Sequence, residues 1–181
     1  MEHGLSPIEQ VTKLEAARRQ LRTAIRLFFE EKDSVSIQTL AGAVETILAD
    51  LLAHRGEPHP FRDSDVIREE RRAEFKQILN RPRNFFKHAD SDPEETLEFR
   101  AAEVPYLLFE CAHLYLKCTG RTLREGWAFL LWFGMNNPDV IGPGELSTAI
   151  DAMRRELPHI QNDKGFFLDV LARPEFFPGS D

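Results

Sequence analysis

Apolar residues recur every three, four or seven positions near the start of the chain, at Val11, Leu14, Leu21, Ile25 and Phe28. At 3.6 residues per turn this period gathers them into one stripe and predicts a helix over roughly residues 7 to 32. Ser6, Pro7 and Glu9 precede the stripe as an S-x-x-E capping box with proline at the first helical position. Such a stripe needs a partner. Ile37, Leu40, Ala41, Val44, Ile47, Leu48, Leu51 and Leu52 supply one, with Gly56 where a left-handed cap belongs. "GEPHPF" (56 to 61) reads as a loop, and "DVIREERRAEFKQILN" (65 to 80) as a charged helix with Val66, Ile67, Phe75, Ile78 and Leu79 on its apolar side. That helix stops near Pro82, because proline disfavours helical conformation in the residue before it.

"ADSDPEE" (89 to 95) is a turn cluster, and "TLEFRAAEV" after it fits either an extended arm or a helix start. Leu107, Leu108, Cys111, Leu114, Tyr115 and Cys118 are helically spaced, and Gly120 ends the run. Thr122 and Glu125 form a second capping box that opens "LREGWAFLLWFGM". Two shorter helices follow, about Glu145 to Leu157 and Asp163 to Ala172, with Pro158 between them and an aromatic tail, "RPEFFPGSD", behind. No stretch alternates apolar and polar residues between hairpin turns. The fold class is therefore all-α: a bundle of four to five principal helices over residues 1–120, with a short helical C-terminal extension over 121–181 packed on the same core.

Composition narrows the function. A chain of 181 residues, 42% of them hydrophobic, is long enough for one sizeable core. The net charge of −7 argues against coating nucleic acid or an anionic membrane with the whole surface. The longest apolar run, Trp127 to Phe133, is far shorter than the roughly 20 residues a bilayer requires, so no membrane partner is expected. The start, "MEHGLSPIEQ", lacks the basic-then-apolar order of a signal peptide. Cys111 and Cys118 lie two helical turns apart, too far to bridge, and read as reduced core residues of a cytoplasmic protein.

Charge is unevenly spread. Residues 68 to 88 hold seven basic side chains (Arg68, Arg71, Arg72, Lys76, Arg81, Arg83, Lys87) against three acidic ones, leaving +4 there and −11 elsewhere. A local positive face on an acidic protein confines a phosphate backbone to one side. Within "RPRNFFKHADSD" (81 to 92), Asn84 and His88 stand four apart and share a helix face, so the amide can orient the imidazole. Arg83 and His88 are about 140° apart around a helix and converge only if Arg83 sits at a frayed first turn or reaches across a groove. Phe85 and Phe86 anchor the segment in the core. The blander alternative for His88 is a partly buried histidine satisfying a nearby carbonyl or a carboxylate such as Asp90 or Asp92, and the arginines can form a solvated face paired with Glu69, Glu70 and Glu74.

Other candidates are weaker. His54 and His59 flank "RGEP", but no Cys or acidic residue stands at ligand spacing, so no metal site is expected. His113 reads as a packing or interface group, Asp92 as part of a turn, and Trp127, Phe129, Trp132 and Phe133 as core cover or a dimer surface. No phosphate-cradling glycine loop, nucleophile elbow or zinc signature is present, and no cofactor is implied.

Arg83, Asn84, three residues and His88 resemble the R-N-x-x-x-H motif of the HEPN superfamily, small helical bundles of bacteria and archaea with relatives in eukaryotes. The resemblance covers about two-thirds of the chain. It implies a HEPN-like bundle, a homodimer with two motifs facing across a cleft, and metal-independent endoribonuclease activity on single-stranded RNA in a bacterial stress, conflict or toxin-antitoxin system. Carried over, His88 is the general acid or base for attack by the 2′-hydroxyl, which DNA lacks. Arg83 holds the phosphate and Asn84 orients His88 or the phosphate. Arg81 satisfies a looser R-x6-H form, though Pro82 disfavours it as the partner. Arg72, Lys76, Arg81 and Lys87 would contact RNA. The alternative is a non-catalytic HEPN-like bundle that binds a nucleotide, RNA or protein partner, with residues 121 to 181 as a further docking surface for a protein.

Overall fold

The computed structural model describes residues 8–59, 80–90 and 93–173, and all regular structure within them is helical. The charged helix expected over 65 to 80 and the aromatic tail lie outside the described residues, apart from Asn80 and Arg173, as do Arg68, Arg71, Arg72, Lys76 and Asp92.

Helix α1 spans Lys13–Phe29 and begins six residues later than the first capping box predicts. Thr12 takes the cap instead: its hydroxyl accepts from the Glu15 N–H at 3.1 Å. Glu9 is thereby left ahead of the helix, where it pairs with Arg19 at 2.5 Å, and Val11 is 46% exposed rather than part of the stripe. Ala17, Leu21, Ala24, Ile25, Phe28 and Phe29 form the buried side.

Helix α2 spans Ser34–His54, with the Asp33 carboxylate accepting from the Ser36 N–H at 2.7 Å. Its end is a Schellman motif: Gly56 N–H reaches the Ala53 carbonyl and Glu57 N–H the Leu52 carbonyl, both at 3.0 Å. Gly56 sits at φ +72°, the left-handed geometry that favours glycine. By length and composition α2 could cross a bilayer. Its apolar residues instead pack between α1 and α4, and Gln38 and Glu45 are buried among them.

The next described helix, α3, covers residues 80–85. Residues 95–100 carry no regular structure, so the ambiguous "TLEFRAAEV" stretch resolves as an irregular arm and a short 3₁₀ turn, Ala101–Glu103. Helix α4 runs over Val104–Thr119 and stops at Gly120, φ +69°. Its two cysteines are free and buried. Their thiols point at α2, Cys111 toward the Ala41 carbonyl at 3.3 Å and Cys118 toward that of Leu48 at 3.5 Å. Burial raises the pKa of both, that of Cys111 well above the usual thiol range.

Helix α5, Arg124–Asn136, corrects the second capping expectation. Leu123 holds the cap position without a side-chain bond, and Glu125 turns inward to meet α1. Its Oε1 accepts from Arg26 Nη2 at 2.8 Å and lies 3.4 Å from Arg22 Nε, while the side chain is 1% exposed. Burial alone pushes this carboxyl up, but hydrogen bonding and the two guanidinium charges outweigh it and hold the pKa below 4.5. A depressed carboxyl stabilises the fold above its unfolded pKa, near 4.5, and that contribution fades as pH falls below it. Replacing Arg26 with alanine should therefore cost about 1 kcal/mol near neutrality, a figure kept small because Arg26 is 44% exposed. Acid unfolding, followed by circular dichroism, should move to higher pH in that variant.

Helices α6 (Glu145–Glu156) and α7 (Lys164–Leu171) pack on α5, and α7 also reaches α1. Lys164 lies 4.1 Å from the Phe28 ring centroid, and Phe167 stacks on Phe29 at 5.6 Å. One continuous apolar core thus joins the helices on either side of residue 120.

Candidate functional site

The R-N-x-x-x-H segment straddles the end of α3. Helical geometry stops at residue 85 and Phe86 and Lys87 form a turn, so His88 lies beyond the helix. Its N–H and that of Lys87 both donate to the Asn84 carbonyl at 3.1 Å. Phe86 meets Phe99 edge to face at 5.1 Å, and Phe85 and Phe86 are half-buried, which anchors the turn.

This turn sends the motif residues to different places. Asn84, Lys87 and His88 are exposed. Asn84 enters the turn through its backbone; among the described residues its side chain makes no hydrogen bond to the His88 ring. Arg83 points inward, its side chain 16% exposed, and forms an ion pair with Glu45 of α2. It also donates to the Thr46 hydroxyl at 2.9 Å and to the Asn80 side-chain oxygen. Arg81 is bound at the surface to Glu95, 2.6 Å away. Lys87 faces solvent in this turn, and its pKa is lowered first by partial burial and then by the Arg83 charge.

Arg83 can lie across α2 because residue 42 is glycine. A Cβ there would come within 2.9 Å of Arg83 Cγ and 3.2 Å of Cδ. The Arg83 anchor was hidden from local sequence patterns, since Glu45 lies far back along the chain. One signal was available: Glu45 stands between Ala41 and Leu48 on the apolar stripe of α2, and a carboxylate there must find a buried partner.

Glu45 belongs to a larger polar cluster. His59, just beyond the Gly56 cap, is 8% exposed, with Nε2 3.4 Å from Glu45 Oε1 and 3.3 Å from Glu110 Oε1 of α4. These three ligand-type atoms lie within 4.8 Å of one another. Neither carboxylate stands at ligand spacing from His59 along the chain, because one arrives from α2 and the other from α4. His54 is exposed at the end of α2 and is not part of this cluster. His113 is half-buried, with Nδ1 3.1 Å from the Phe109 carbonyl, and burial lowers its pKa.

On the opposite flank Phe129 and Phe133 are buried, Trp132 nearly so, and Trp127 is 38% exposed, so this aromatic run serves mainly as core. An apolar groove of about 360 Å³ lies among α5, α6 and α7, lined by Leu131, Met153, Leu157, Phe166 and Val170. Comparisons of the chain with family models, curated proteins and solved structures give no match.

Proposed function

We propose that this chain is a non-catalytic HEPN-like bundle that binds single-stranded RNA through the exposed turn of Asn84, Lys87 and His88. The observation that carries the reading is the commitment of Arg83 to Glu45 and Thr46. A guanidinium that already neutralises a buried carboxylate is poorly placed to clamp a phosphate or to stabilise charge building on its oxygens. Lys87 and His88 still offer donors to a phosphate backbone, and the positive balance of residues 68 to 88 supports an anionic partner. The ribonuclease reading keeps one favourable observation, since His88 is exposed and an acid-base group must reach its substrate.

One assay separates the two. A labelled single-stranded RNA is titrated with protein in EDTA at about 50 and 200 mM salt, and the same samples are run on a denaturing gel. Binding should weaken with salt, Lys87→Ala should lower affinity several-fold and reduce the salt slope by about one, and the RNA should remain intact. Cleavage to cyclic phosphate ends that disappears in His88→Ala would establish the ribonuclease instead. Absence of binding at the lower salt would remove RNA as the partner.

A further inference from the structure

We propose that Glu45, His59 and Glu110 form a binding site for one divalent first-row transition metal ion, such as Zn²⁺ or Mn²⁺. The distances carry the geometry. Metal-nitrogen and metal-oxygen bonds of about 2.0 to 2.2 Å set tetrahedral ligand edges of roughly 3.3 to 3.5 Å. His59 Nε2 stands at 3.4 Å from Glu45 Oε1 and 3.3 Å from Glu110 Oε1. The donor set is one imidazole and two carboxylates, which suits zinc, manganese or iron better than a thiolate-selected ion.

The surroundings hold these donors in place. Arg83 occupies the other oxygen of Glu45, Oε2, so Oε1 is the one turned toward His59. Such outer contacts orient metal-binding carboxylates. The chain leading to His59 is tied to two helices: the Schellman bonds hold Gly56 and Glu57 to α2, and the Pro58 carbonyl accepts from Lys117 Nζ of α4 at 3.0 Å. Glu45 and Glu110 sit on helices α2 and α4, which pack directly on each other. The described residues supply three protein ligands, and a tetrahedral ion takes water or a small anion at any position the protein leaves open.

Chelator-treated full-length protein titrated calorimetrically with Zn²⁺, and separately with Mn²⁺, tests the site. One equivalent of at least one ion should bind and raise the melting temperature, and affinity should drop about 100-fold in both His59→Gln and Glu110→Gln. Failure of wild type to take up a stoichiometric ion overturns the proposal, as does unchanged affinity in both variants, which would place the ion on surface histidines. If either variant unfolds, wild-type stoichiometry and the folded variant still decide. None of these readouts involves RNA, so the result stands apart from the RNA assay.

Discussion

Replacing Arg83 with alanine is expected to lower stability by about 3 kcal/mol, measured by urea unfolding. The cause is the carboxylate left behind. Glu45 is 1% exposed and buried on α2, and Arg83 forms the ion pair with its Oε2. Removing one member of a buried pair leaves a desolvated charge, whereas removing both charges avoids that penalty. The double variant Arg83→Ala, Glu45→Gln should accordingly recover much of the loss, a coupling that a double-mutant cycle reads directly. His88→Ala, at an exposed position, should stay within about 0.5 kcal/mol of the parent. If Arg83→Ala instead cost less than about 1 kcal/mol, the guanidinium would be available for substrate and the case against catalysis would weaken.

Phe129→Ala should be costlier still, about 4 kcal/mol. The ring is fully buried and lies 5.4 Å from Phe28, 6.2 Å from Phe29, 5.9 Å from Trp132 and 6.1 Å from Phe133, centroid to centroid. Losing it opens a cavity where α5 meets α1 and removes several edge and stacked contacts at once. Because the same core continues through Phe29 to Phe167 on α7, unfolding should remain one cooperative transition with an unchanged denaturant slope. Phe129→Leu should lose only about 1.5 kcal/mol, since most of the volume is kept. Two separated transitions in the alanine variant would show that the C-terminal helices fold apart from the rest.

The helices themselves were legible because burial imposes a period. Leu21, Ile25 and Phe28 on α1, and Ala41, Val44, Leu48 and Leu52 on α2, are buried as their spacing requires. Gly56 ends its helix in the left-handed geometry that the sequence suggested, and Gly120 ends α4 as expected, also at positive φ. Caps were less legible, because a capping box is a local option that competes with others. Thr12 caps α1 well past the box that Ser6 and Glu9 suggested, and Glu125 found two arginines on α1 that no local window contains. The surroundings of the site residues were less legible for the same reason. Spacing placed Arg83, Asn84 and His88 on one short segment, but the direction of Arg83 is set by Glu45, and the company His59 keeps is set by the packing of α2 on α4. Both depend on tertiary contacts that helical periodicity does not encode.

The glycine at position 42 governs a contact that it does not make. With no side chain there, a channel stays open along α2 through which the arginine stem reaches its carboxylate. A methyl group would narrow that passage and a branched residue would block it, freeing the guanidinium toward water and unbalancing the charge beneath. Substituting this small residue could thus redirect the motif's arginine outward with every residue of the motif unchanged.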